Sequence, residues 1–446
     1  MRKYIVFHCL CFALYAILGK GFAYAGYAPV YIGEVLLACG VFTAIRTHKL
    51  AILLTQPLGL TMACFFVWQA LRTLPYLDTF GVDALRDGAT WGYSLFAWVI
   101  AALVLALPKL PETGLRRYPS FGTVFMFAGP AAVLATRYLP EYLPAWPGTA
   151  VTIPFVKYGD LCTHMAGACA FVLAGLNRAK SWWLFPGLCG FLIGITGSRG
   201  GGIAFLGALA VVAFLRFRPQ KLIALATAVG IVGAAFCALD LHVPIPGTSR
   251  EISSEQIVYN LASISPNSTG EGELEATRRW RLEWWNRILE YTLHGPYFWT
   301  GKGYGINLTI DDGIQTSPDG PQPLRSPHNS HLTFLARSGV PGFVLWSLVQ
   351  LIWATLVLRA YFRARSVGWV RWSALFLWLL AYWTAFMINA AFDVSFEGPM
   401  SGIPFWTVFG FGWGTQVLLN HKFRNRVPVT TQETCLPRIN QPIFSA

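Results

Sequence analysis

Charge is what this chain has least of. Charged side chains make up 12% of its 446 residues, against 54% hydrophobic, about half the charge of an ordinary soluble domain. That shortage excludes a single large water-soluble globule. Patterned cysteine is also missing. Eight of the nine cysteines lie in or beside apolar segments (Cys9, Cys11, Cys39, Cys64, Cys162, Cys169, Cys189, Cys237), and Cys435 lies near the end of the chain. None falls in the polar stretch 242–331, and no Cys-x-x-Cys spacing occurs, which argues against a disulfide framework and against a structural zinc site. The first apolar run, Tyr4 to Leu18, has no convincing small-residue cleavage site, so it is expected to remain as a span. A nucleotide loop is lacking too. Gly301-Lys302-Gly303-Tyr304-Gly305 is glycine-rich but has no strand–turn–helix context.

Long apolar blocks separated by basic or Pro-containing breaks are abundant, and mean hydropathy is +0.48. The expected fold class is an all-α polytopic membrane protein with about 12 transmembrane helices and one large extracytoplasmic, partly helical loop. The expected spans are 4–19, 28–45, 50–72, 88–108, 119–138, 157–176, 181–197, 200–217, 221–241, 332–360, 370–391 and 399–420. This divides the chain into nine transmembrane helices over 1–241, a loop subdomain over 242–331, three transmembrane helices over 332–420 and a cytoplasmic tail over 421–446. The net charge of +13 is accounted for by cytoplasmic anchoring and needs no nucleic acid. With Arg2 and Lys3 inside, the inside loops hold Arg46, Lys49, Lys109, Arg116, Arg117, Arg178, Lys180, Arg216, Arg218, Lys221, Arg359, Arg363, Arg365 and Arg371. The positive-inside rule favours that orientation. It puts Ser198-Arg199-Gly200 outside, against the rule, so Arg199 needs another reason to be there.

Four constellations could carry chemistry. Thr196-Gly197-Ser198-Arg199-Gly200-Gly201-Gly202 offers helix-start amides and a guanidinium, a set suited to phosphate or pyrophosphate. The alternative is a tight hairpin whose arginine reaches lipid headgroups. Within the loop, Glu273 to His294 reads as a helix ended by Gly295-Pro296, with Arg278, Arg281 and Trp285 on one face. That face could hold an anionic headgroup and stack on a sugar, or simply lie on anionic lipid. His328-Asn329-Ser330-His331 brings two imidazoles, whose ordinary pKa near 6.5 suits a general base. Spacing leaves open which of the two would serve. Asp393 and Glu397 form a carboxylate pair in the last outside loop, with helix-end capping as the plainer reading. The stretch Asp311 to Pro323 reads as mobile loop.

Taken together these segments resemble the bacterial O-antigen ligase/polymerase family of integral membrane glycosyltransferases. Thr196 to Gly201 is similar to that family's Ser-Arg-Gly turn. Arg281-Leu282-Glu283-Trp284-Trp285 is similar to its Arg-x-x-x-Trp element, here ahead of Gly301, Gly303 and Gly305. His328-Asn329, nine residues, then Gly339 and Gly342 is similar to its ligase-type signature. The resemblance implies an enzyme of the bacterial inner membrane that needs neither metal nor cofactor and works on the periplasmic side. Its donor would be a polyprenyl-pyrophosphate-linked glycan. Its acceptor would be a glycolipid such as lipid A core, or a glycan. By position, Arg199 and Arg281 would hold the pyrophosphate and His328 would be the base. Ser198, Gly200, Arg278, Trp285, Asn329, His331 and Asp393 would line the substrates. Two other readings fit the same sequence: a polymerase of O-antigen or exopolysaccharide repeats, and a 12-span transporter without chemistry.

Overall fold

The computed structural model describes residues 1–216, 273–314 and 324–424, with isolated pieces between 223 and 253. The expected span 221–241 is described only in pieces, and the opening of the large loop, residues 315–323 and the tail past 424 lie wholly or mostly outside the described residues.

The described chain is mostly helical. Its main helices are α1 (Arg2–Leu18), α2 (Ile32–Ile45), α3 (Pro57–Thr73), α4 (Val82–Gly92), α5 (Leu95–Ala106), α6 (Leu110–Tyr138), α7 (Tyr158–Leu173), α8 (Leu184–Gly197), α9 (Arg199–Leu215), α10 (Glu273–Leu289), α11 (Ser330–Ser366), α12 (Val370–Ala390) and α13 (Pro399–Arg424). Among the described residues, four helical stretches are long and apolar enough to cross a membrane: Val82–Ala106, Leu110–Tyr138, Ser330–Ser366 and Val370–Ala390. Helices α2 and α9 are apolar but shorter, as is the run Ser181–Gly197 that contains α8.

Several expected spans are cut by local chemistry. The span 50–72 is a short helix, Leu50–Leu54, followed by α3. Pro57 stands at the start of α3, where its missing N–H costs no hydrogen bond, and it cannot continue the preceding helix. The span 88–108 is divided into α4 and α5 around Tyr93 and Ser94. The span 28–45 starts late, because Gly26–Tyr27 and Val30–Tyr31 pair as a short antiparallel hairpin before Ile32.

Helix α7 is the axis of the packing. Every residue from Tyr158 to Leu173 is buried, with α8, α9 and α12 packed around it. Small residues permit the close approach: Gly159 of α7 faces Gly201 of α9, where a Cβ on Gly201 would stand 2.9 Å from the Gly159 backbone. Two polar side chains within α7 meet partners on neighbouring helices. Ser401 donates to Asp160 at 2.5 Å, and His164 Nδ1 lies 2.5 Å from the Tyr382 hydroxyl.

Helix α10 packs its apolar side on α11. Trp284 and Ile288 are buried with Leu308, Leu335 and Ala336 in a second, smaller core. The helical path continues as a wider turn over Glu290–His294 and stops at Gly295, as the Gly295-Pro296 pair implies. The stretch read as mobile is anchored at its described start. Leu308–Asp311 is a helical turn, and Lys302 reaches Asp311 and Asp312 at 2.5 Å each. Burial lowers the lysine's proton affinity, but those two carboxylates outweigh it and hold it above the ordinary value.

Candidate active site

The turn between α8 and α9 is a capped helix start. The Ser198 hydroxyl accepts from Gly201 N at 3.0 Å, and Arg199 is the first residue of α9. A serine cap of this kind is worth about 1 kcal/mol. Gly200 has no room for a side chain, since a Cβ there would lie 2.4 Å from the Phe392 side chain. The Ser-Arg-Gly turn is thereby pressed against the loop between α12 and α13.

Helix α10 reaches the same loop. Arg281 Nη1 donates to the Phe392 carbonyl at 3.0 Å. Trp285 Nε1 donates to the Pro327 carbonyl at 2.8 Å, and the Trp280 ring meets His328 edge-on with centroids 6.1 Å apart. Arg281 and Trp285 thus hold the two segments between which His328 stands. Arg278 is half-buried on the same helix.

The histidine segment is shaped by its helix cap. Asn329 Oδ1 accepts from the His331 and Leu332 amides at 3.0 and 3.1 Å, which opens α11 and commits that oxygen to the backbone. His328, one residue earlier, has φ +51°, in the left-handed region that non-glycine residues seldom adopt. Its Nδ1 is 3.5 Å from Asp393 Oδ1. Among the described residues Nε2 has no hydrogen-bond partner, and the side chain is 22% exposed. His331 differs on both counts. Trp346 Nε1 donates to its Nδ1 at 3.1 Å, so its Nε2 carries the proton and donates to the Met387 carbonyl at 3.0 Å. Both ring nitrogens are committed to packing.

Asp393 ties the pieces together. Lys157 Nζ, just before α7, lies 3.3 Å from both of its carboxylate oxygens. Ser330 Oγ donates to its carbonyl at 3.2 Å, and the Val394 amide donates to Oδ1 at 2.8 Å. Burial alone would raise this carboxyl. The Lys157 ammonium, and after it His328, outweigh burial and hold it well below the usual carboxylate range. Lys157 is held above its ordinary value in turn, with Asp393 overcoming the burial that would lower it. Glu397 faces elsewhere. Thr333 donates to it at 2.8 Å, and burial pushes its carboxyl up against the pull of Arg337. The two acids are not a mutual pair.

Gly200 and Arg281 therefore meet Phe392 and His328 meets Asp393, with Ser198 and Arg199 beside Gly200 in the turn and Trp285 and Asn329 beside His328, while His331 points into the packing between α11 and α12. Lys157 joins them without having been singled out in the sequence. In the sequence it is no more than a basic residue at the first position of the expected span 157–176. No group of three or more His, Cys, Asp or Glu side chains suited to a metal occurs among the described residues.

Residues 166–347 match the family model described as O-antigen ligase. No curated protein matches the chain. The matched segment contains Arg199, Arg281 and His328, while Lys157 and Asp393 lie on either side of it. Over residues 166–347, the chain is similar to the O-antigen ligase family.

Proposed function

We propose that this protein is a membrane glycosyltransferase of the ligase type. It moves a glycan from a polyprenyl-pyrophosphate carrier to an acceptor hydroxyl, at the extracytoplasmic face of the bacterial inner membrane. The observation that carries this reading is the convergence at Phe392–Asp393. The Ser198–Gly200 turn packs on Phe392, Arg281 donates to its carbonyl, and His328 stands at Asp393.

The chemistry follows from those positions. His328, with Nδ1 turned to Asp393, presents Nε2 to the acceptor hydroxyl and takes its proton. The hydroxyl oxygen forms the new bond to the anomeric carbon. The bond from that carbon to the pyrophosphate oxygen breaks, and the leaving group departs with the electron pair. Arg199, Arg281 and the amides at the start of α9 balance the charge that builds on it. In-line displacement inverts the anomeric carbon. The Trp280 and Trp285 rings give a sugar an aromatic flank.

The test is reconstitution. Purified protein in lipid nanodiscs is given a polyprenyl-pyrophosphate-linked glycan and lipid A core, and products are separated on gels. Ligase activity predicts glycan joined to the core. Lengthened glycan still on its carrier would replace the ligase reading with a polymerase. Uptake of the donor into proteoliposomes without any product would replace it with a transporter.

A further inference from the structure

We propose that Lys157 limits how far the Asp393 carboxylate favours the His328 imidazolium, by sharing that carboxylate with it. This role rests on the reading of His328 as the base. A histidine base has two needs that conflict. A carboxylate at Nδ1 fixes the ring so that Nε2 faces the acceptor. The same carboxylate also stabilises the imidazolium, which cannot act as a base. Here the carboxylate is already matched. Lys157 Nζ sits 3.3 Å from each oxygen of Asp393, whereas His328 Nδ1 meets Oδ1 alone, at 3.5 Å. The carboxylate still orients the ring, but much of its charge is spent on the ammonium.

Lys157 is placed by the packing of α7. It precedes α7, the fully buried helix, two residues before the Gly159 that packs on Gly201 of α9. The ammonium thus belongs to the same helix pair that carries Arg199. The other charged groups around His328 have their own attachments. Arg325, on its own segment, pairs with Asp83 and Asp87. Glu397 accepts from Thr333, and Asp160 accepts from Ser401. On α10, Arg281 is bound to the Phe392 carbonyl, with Arg278 one turn earlier. Arg199 lies at the start of α9, and His331 is held by Trp346 and Met387. Lys157 is in direct contact with the carboxylate that orients His328.

The test reads the His328 ring directly. Full-length protein with 15N-labelled histidine rings is placed in nanodiscs, and the His328 resonance is assigned by its loss in His328→Gln. Titration midpoints and the acid limbs of the transfer rate are compared for wild type, Lys157→Met and Lys157→Arg. Lys157→Met should move the midpoint upward by about one pH unit, with the acid limb following, and Lys157→Arg should restore both. Lys157→Gln gives the same readout if the Met variant does not fold. A midpoint that stays put or falls overturns the proposal. A midpoint that rises while the acid limb stays fixed upholds the charge sharing and overturns the base reading.

Discussion

Asp393 illustrates how much one side chain can organise. It is a half-buried carboxylate that orients a histidine, receives a lysine and accepts the amide that follows it. Its folded proton affinity is depressed, so its contribution to stability is present above the ordinary aspartate value of about 3.9 and is lost as pH falls through and below it. Thermal melts of wild type and Asp393→Asn should therefore differ most at neutral pH and converge as pH falls below about 4. The histidine run was legible as a pair of imidazoles at a loop–helix junction, and spacing could not choose between them. The choice depends on Trp346 and Met387, which occupy both nitrogens of His331. Lys157 was illegible for a related reason: its partner is Asp393, far along the chain, and no local pattern connects them.

At the scale of elements, the His-Asn, nine-residue, Gly-x-x-Gly spacing describes a piece of architecture. Asn329 caps the helix, and the residues from Ser330 to Ser338 form its first segment. Gly339 then breaks the helix at φ +68°, ψ −174°, a conformation almost confined to glycine. The break lets the Gly301 turn cross. Lys302 and Gly303 donate to the Ala336 and Arg337 carbonyls at 2.8 and 2.9 Å, and Val340 donates to the Phe298 carbonyl at 2.8 Å. A Cβ on Gly339 would lie 2.5 Å from the Phe298 oxygen. Gly339→Ala should cost about 1–3 kcal/mol from backbone strain alone, and more from that overlap. Asn329→Ala should cost about 1 kcal/mol through the lost cap. Thermal unfolding in detergent compares the two, and the glycine variant should melt lower. Apolar blocks made the helices themselves legible. The interruptions at Pro57 and around Tyr93 were hidden because composition over a long window averages them away.

Across the whole molecule, the site is assembled from segments at 157, 199, 281, 328 and 393 that meet because α7, α9 and α12 pack tightly and α10 is tied across their ends. A buried ionic group braces this arrangement from behind. Asp87 of α4 receives Arg325 at 2.9 Å and Arg337 at 3.0 Å, and the Gly305 amide at 3.1 Å. It joins the front of the chain to the segment that presents His328. Basic sorting and the short motifs made the ingredients of the site readable. Their junction at Phe392–Asp393 was not, since Phe392 carries no polar signal and serves through its backbone carbonyl and its contact with Gly200. The central claim is that His328 is the base of a glycan transfer. It is tested most directly by the single-turnover rate of His328→Gln in nanodiscs at saturating lipid-linked donor. The expected result is a fall of about 10²–10⁴-fold, with donor binding retained and loss of the wild-type acid limb. Transfer at the wild-type rate with the acid limb intact would contradict it.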